Sequence, residues 1–279
     1  MPTNYYCLVA GLKEYTLDAD TKGFDAEAII EEIRSSLSTA DSGALRDLLL
    51  FHDIENLLAL RSGRTAFSTL GNYSREQIEE ESKSPSLFPT ELRRTISAYN
   101  SPDSTDYDDI DTTIPIERAL YTLYYRLCSR SRSRFLREWG EADRNLRNLT
   151  AAFAARTKGV AVADVLVGEG DLVDRMARSS AADFGLKGEL TYVDSVMSAV
   201  NDNSNLLDKE HRIDVVRWNI AEELTTFNYF DADFLLGYVE RLCLVQRWAM
   251  LSPDKGRELF DRLVESLSGR DAIMAAEAN

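Results

Sequence analysis

The feature that most constrains this chain is an apolar stripe in its middle. Leu120, Tyr124, Leu127, Phe135, Trp139, Leu146, Leu149 and Phe153 recur at steps that keep them on one side of a 3.6-residue helix. Read without interruption from Ile116 to Arg156, such a helix is roughly 60 Å long at about 1.5 Å per residue, beyond the usual globular helix. The stripe predicts either an elongated body or a break near Gly140. The 279 residues hold only 14 Gly and 6 Pro, which excludes the many turns of an all-β fold. The expected fold class is mainly α, an elongated multi-helix bundle, with helix over more than half of the chain and strand under a tenth.

Helical patterning continues on both sides. Residues 24–36 carry Phe24, Ile29, Ile30 and Ile33 against outward Glu27, Glu31 and Glu32. Asp41 or Ser42 is the expected N-cap of a helix running through Leu45, Leu48, Leu49 and Ile54 to Leu60. An acidic helix from Tyr73 to Ser84 ends at Pro85 and Pro89, and a short one follows to Tyr99. Asn100–Thr113, with Pro102 and five aspartates, is the clearest linker. Further helices are expected at 172–182, 190–200, 209–224 and 231–250. Ser252-Pro253-Asp254 has the N-cap, first-turn proline and early acid of a closing helix through Leu259, Leu263 and Leu267. These breaks divide the chain into an N-terminal helical module (1–112), a central long-helix module (113–210), a C-terminal helical module (211–268) and a tail (269–279), read as one continuous body. Two apolar runs, Tyr5–Leu12 and Val160–Val167, fit a strand or a helical turn equally.

The formal net charge is −15. This argues against a general nucleic-acid binder, whose affinity comes from Lys and Arg on phosphates, and against attachment to anionic lipid. Cys7, Cys128 and Cys243 are distant from one another and odd in number, so they predict buried thiols in a reducing compartment rather than a disulfide framework. The N-terminus lacks the basic start of a signal peptide, and no stretch of about 18 apolar residues exists. A cytoplasmic location is expected.

Chemical motifs are sparse. His52 and His211 have no second ligand at helical spacing, so a metal site is not assigned. A calcium loop started at Asp106 ends on Glu117 but puts Ile110 and Asp111 where a ligand and a glycine are needed. Gly168-Glu169-Gly170-Asp171 follows an apolar run, as a nucleotide loop follows a strand. Val173 stands where the third glycine belongs, and Glu169 adds charge against a phosphate. A small-molecule enzyme built on this loop is one alternative, and a free-standing helical adaptor another. No catalytic residue and no cofactor is assigned. Between Arg126 and Lys158, nine basic residues face three acidic ones. On one helix Arg130, Arg134 and Arg137 share a face and Arg132 points elsewhere. These three arginines are the candidate partner-binding residues, a face suited to carboxylates of an acidic protein; the alternative is that they pair with this chain's own acids.

A short repeat runs through two helices. Asp53-Ile54-Glu55-Asn56-Leu57-Leu58-Ala59 is followed by Arg64, and Asp143-Arg144-Asn145-Leu146-Arg147-Asn148-Leu149-Thr150-Ala151 by Arg156. Both contain N-L-x-A with an arginine eight residues after the Asn. These segments, together with Asp231 through Gly237-Tyr238-Val239-Glu240-Arg241 to Arg247-Trp248, resemble the helical C/d subunits of V/A-type ATPases. From Asn4–Leu12 to Arg247–Leu251, the chain resembles an uncharacterised bacterial family encoded beside V-type ATPase subunits. The resemblance implies internally repeated helical modules and no chemistry of its own. It also implies a role in ion transport: a subunit or accessory protein that couples the central rotor shaft to the membrane ring, with protein subunits as partners and peripheral association with the inner membrane through the complex. The chain is shorter than typical C/d subunits.

Overall fold

The computed structural model describes residues 4–17, 23–202 and 205–251. Helix accounts for 67% of them, and no strand occurs among them. The fold is a mainly α helical bundle, as the stripe predicts. The expected closing helix beyond Ser252 and the tail lie outside the described residues.

The first helices form where local signals and apolar spacing agree. The Tyr5–Leu12 run is helical, α1 (Tyr6–Gly11), and Tyr5 donates its backbone N–H to the Phe230 carbonyl at 2.6 Å. In α2 (Ala26–Ser36) Asp25 caps the start, and Ala26, Ile30 and Ile33 are buried. The next helix, α3 (Thr39–Arg61), begins earlier than Asp41 or Ser42 suggests. Ser38 is its cap, accepting the Asp41 N–H, and Asp41 becomes a first-turn acid. Helix α4 (Arg75–Lys83) opens on a reciprocal capping box between Ser74 and Gln77, and α5 (Thr90–Asn100) starts after Pro89.

The aspartate-rich linker is pinned by its own side chains. Asp109 pairs with Arg94 at 2.8 Å, and Asp111 accepts both the N–H and the hydroxyl of Thr113.

The long helix is two helices. α6 (Ile116–Ser129) and α7 (Arg134–Lys158) are separated by the turn 130–133 and pack against each other. The break falls there and not near Gly140, because Ser133 caps α7 by accepting the Leu136 N–H. Gly140 lies inside α7 for a different reason. A Cβ at that position would meet the Cys128 Cβ at 2.5 Å, so the glycine is what lets α6 and α7 approach.

Val160–Val167 resolves into a 3₁₀ turn at Val162–Asp164. Then come α8 (Asp171–Arg178), α9 (Val193–Asn201), α10 (Leu206–Thr225) and α11 (Ala232–Met250).

Two apolar cores result. The larger gathers Leu45, Leu49, Ile54, Ile78, Leu92, Ile96, Leu120 and Tyr124 with Phe135, Trp139, Leu235 and Val239. The smaller gathers Leu146, Leu149 and Phe153 with Met176, Phe184, Val193, Val196 and Ile213. α7 feeds both, with its first half in one core and its second half in the other. α10 does so in the reverse order, entering the smaller core through Ile213 and then the larger through Ala221.

Candidate functional site

The two copies of the sequence repeat do the same structural work through their asparagines. Asn56 on α3 donates Nδ2 to the Ser68 carbonyl at 2.8 Å and accepts the Ser68 N–H at 2.7 Å. Asn148 on α7 donates to the Val167 carbonyl and accepts the Val167 N–H, both at 2.8 Å. A side-chain amide matches a peptide group donor to acceptor, so each Asn clips the returning loop to its helix as a strand neighbour would. Each clip is followed by a short helix (α4, α8), a second short helix (α5, α9) and a longer helix (α6, α10). α6 packs between α3 and α7, and α10 packs between α7 and α11. The bundle therefore contains two successive helical units that share α7.

The other positions of the repeat diverge. Asp53 accepts the backbone N–H groups of Asn72 and Tyr73 and the Asn72 side chain. The residue in register with Asp53 in the second unit is Asn145, not Asp143. Arg64 is exposed and donates to Ser62. Arg156 instead lies over the Phe184 ring at 3.5 Å and donates to the carbonyls of Ala181 and Ser179.

Asp143 belongs to a buried polar brace across α6, α7, α10 and α11. Tyr125 donates its hydroxyl to one Asp143 oxygen at 2.6 Å, and Arg217 Nε donates to the other at 3.0 Å. Arg217 also reaches the fully buried Asp214 at 2.8 Å. Asp214 accepts in addition from Arg247 and from Trp248 Nε1 at 2.9 Å. Burial alone raises the Asp143 pKa, but the guanidinium charges of Arg217 and Arg147 and the two hydrogen bonds outweigh it and hold the carboxyl below 3.8. Arg147 completes the edge of the brace, donating to Tyr125 and lying 4.0 Å from the Tyr121 ring centroid. Sequence reasoning missed this set. Its members are scattered over four helices, and no spacing in the sequence joins them.

Beside the brace lie His52 and Glu55 on α3 and Glu240 and Cys243 on α11. Burial disfavours the His52 imidazolium, yet contact with Cys243 and Glu55 more than offsets it and raises the pKa well above 6.5. Burial, with the nearby Asp143 charge, pushes Glu240 up to about 7, against the opposing pull of His52 and Arg217. His211 stacks edge-on against Trp248. Among the described residues no three His, Cys, Asp or Glu side chains are grouped to hold a metal.

The Gly168–Asp171 loop is occupied by the protein itself. Gly168 donates its N–H to the Thr122 hydroxyl at 3.0 Å. Arg144 donates to the Glu169 carbonyl, and Arg126 pairs with the Glu169 carboxylate. Gly168 has φ of +80°, and a Cβ there would meet Arg144 Cδ at 2.9 Å. A 3₁₀ turn, not a strand, precedes the loop. Of two recesses elsewhere, the one lined by Asn56, Arg64, Phe67 and Arg75 encloses about 10 Å³, room for a water and not a metabolite. The other, lined by Arg61, Ser82, Lys83, Tyr99 and Asn100, is an open dish of about 480 Å³.

The three candidate arginines are exposed but do not share one helix face. Arg130 follows the end of α6 and pairs with Glu91 at 2.9 Å. Arg134 begins α7, pairs with Glu138 and donates to the Leu224 carbonyl and to Asn228. Arg137 turns back on the α6–α7 turn, donating to the carbonyls of Ser131, Arg132 and Ser133. Arg132 is exposed, and no side-chain partner engages it among the described residues.

No helix among the described residues is long and apolar enough to cross a membrane. No curated protein and no solved structure matches this chain. A family model described as "protein of unknown function (DUF2764)" matches residues 2–270, which is nearly the whole chain, and the chain belongs to that family.

Proposed function

We propose that this protein is a non-catalytic subunit or accessory protein of a V/A-type ATPase, coupling the central rotor shaft to the membrane ring. The observation that carries the reading is the paired use of Asn56 and Asn148, each clipping a loop at the same place in two successive helical units. Internally repeated helical modules are what the resemblance to C/d subunits implies. A coupling part transmits force through packing and polar contacts, and close-packed helices resist deformation. The brace from Tyr125 through Asp143, Arg217 and Asp214 to Trp248 ties α6 of the first unit to α10 and α11 through the shared α7. The enzyme alternative has less support, since the Gly168 N–H is held by Thr122 and the Glu169 carbonyl and carboxylate by Arg144 and Arg126. Arg130, Arg134 and Arg137 remain exposed, and we place them near the partner surface.

The test is affinity purification of the tagged chain from detergent-solubilised native membranes at its natural expression level. The reading expects V-type ATPase subunits in stoichiometric amounts. Recovery of the chain alone, or with unrelated proteins, would contradict it.

A further inference from the structure

Leu207, His211, Val215 and Trp218 recur at steps of four, four and three along α10, so they lie on one face of it. The described elements leave this stripe open: Leu207 is 47% exposed and Val215 37%. Its other wall is α11. The Trp248 ring stands edge-on to His211 at 4.9 Å, and the Arg241 guanidinium lies 5.4 Å from the Trp218 ring centroid. Those pairings make the two helices antiparallel and carry the end of α11 towards Leu207. There Met250 and Leu251 are 45% and 50% exposed. The chain continues from that point into residues outside the described ones. Their sequence places Leu259, Phe260, Leu263, Val264 and Leu267 at helical spacing on one side. Asp254, Glu258, Asp261 and Glu265 fall opposite, with Lys255, Arg257 and Arg262 along the edges of the apolar stripe.

We propose that residues 253–268 of this same chain fold back as a helix into the groove between α10 and α11. Length fits. At about 1.5 Å per residue, 253–268 and the stretch 207–222 of α10 both span roughly 24 Å. The starting point fits as well. Pro253 ends α11 and opens a new helix, one residue after Leu251 and beside the first residue of the stripe. Charge fits too. Asp208 and Glu222 border the α10 stripe and are exposed, Glu222 being 61% so although Arg241 is 3.9 Å away. The segment brings bases along the edges of its apolar side and turns its acids to water. A tether this short holds the segment at an effective concentration on the order of millimolar. A second copy or another protein has to compete with that. The docking is independent of the coupling-subunit reading.

The experiment is a disulfide scan of the full chain carrying Cys7→Ser and Val215→Cys; the other two native thiols, Cys128 and Cys243, are buried. One further cysteine is walked through positions 258–265. Each variant is oxidised with copper phenanthroline, and the bridged peptides of the monomer are measured by mass spectrometry. Val215 is partly exposed, so its replacement does not threaten the fold. The expected result is a helical periodicity: bridges to 215 form at least tenfold more at 259, 260 or 263 than at 258, 261 and 265, with yields independent of protein concentration. A flat profile, a maximum on the acidic side, or bridges that form only between two chains and grow with concentration would overturn the proposal. A second measurement uses the chain with all its cysteines native. Leu263→Asp is expected to shift tryptophan emission to the red while helix content by circular dichroism stays within about a tenth of wild type. An emission spectrum identical to wild type would also overturn it.

Discussion

Asn56 and Asn148 sit on different helices and make the same pair of hydrogen bonds, each matching its amide to one backbone peptide of the loop that follows. The two pairs differ in burial. Asn148 and Val167 are both buried, whereas Ser68 is half-buried. An unpaired buried donor or acceptor costs about 1–3 kcal/mol. Asn148→Leu is therefore expected to destabilise by about 3 kcal/mol, and Asn56→Leu by about 1 kcal/mol because water can reach Ser68. Urea unfolding of the two variants checks the ranking; equal effects, or a larger effect at Asn56, would contradict it.

Removing one side of the Asp143–Arg217 pair leaves a buried charge alone. Arg217→Met is expected to cost about 3–5 kcal/mol, and Arg217→Met with Asp143→Leu less than the single change. The pH dependence has a definite sign. The folded Asp143 pKa lies below its ordinary value of 3.8, so its stabilisation is present above that value and lost as pH falls through the folded pKa. The stability gap between wild type and Asp143→Asn should thus close under strong acid, as measured by denaturant titration across pH.

Glu240 has the opposite sign. Its folded pKa of about 7 lies above its ordinary 4.5, so the fold prefers the protonated acid. Stability from this group is present below 4.5 and lost as pH rises toward 7. Glu240→Gln mimics the protonated form. It is expected to stabilise the protein by roughly 2 kcal/mol at pH 8 and by little at pH 4.5. A thermal-melting series over pH reads this directly, and a gain confined to the acid end would refute it.

Gly140→Ala pushes a methyl into Cys128. Overpacking of this kind costs about 1–3 kcal/mol. Cys128→Gly in the same chain removes the atom it strikes, so the double variant should recover part of the loss relative to Gly140→Ala alone.

The helical class was legible because Leu120, Tyr124, Phe135, Trp139 and Phe153 all keep one phase. The same phase hid the break at 130–133. Arg and Ser are tolerated in helices, and no Gly or Pro marks the turn, so only the cap at Ser133 signals it. Gly140 looked like a break because a helical glycine is costly in isolation; its reason lies across the α6–α7 contact. The Asn pair was visible as a repeat, though not as a clip, since Ser68 and Val167 share no residue type and donate and accept only through backbone. Asp143, Arg217 and Asp214 could not be joined from sequence, because their helices meet only in the folded bundle. The face-sharing of Arg130 with Arg134 and Arg137 depended on one unbroken helix; Arg134 and Arg137 stay three apart on α7, and Arg130 falls before the break.

The central claim, coupling without catalysis, is tested most directly by the number of ions pumped per ATP hydrolysed in vesicles prepared from native membranes. With the chain deleted, ATP-driven ion uptake is expected to fall much further than ATP hydrolysis, and purified protein added back should restore the ratio. An unchanged ratio in the deletion, with uptake and hydrolysis both at wild-type levels, would contradict the account.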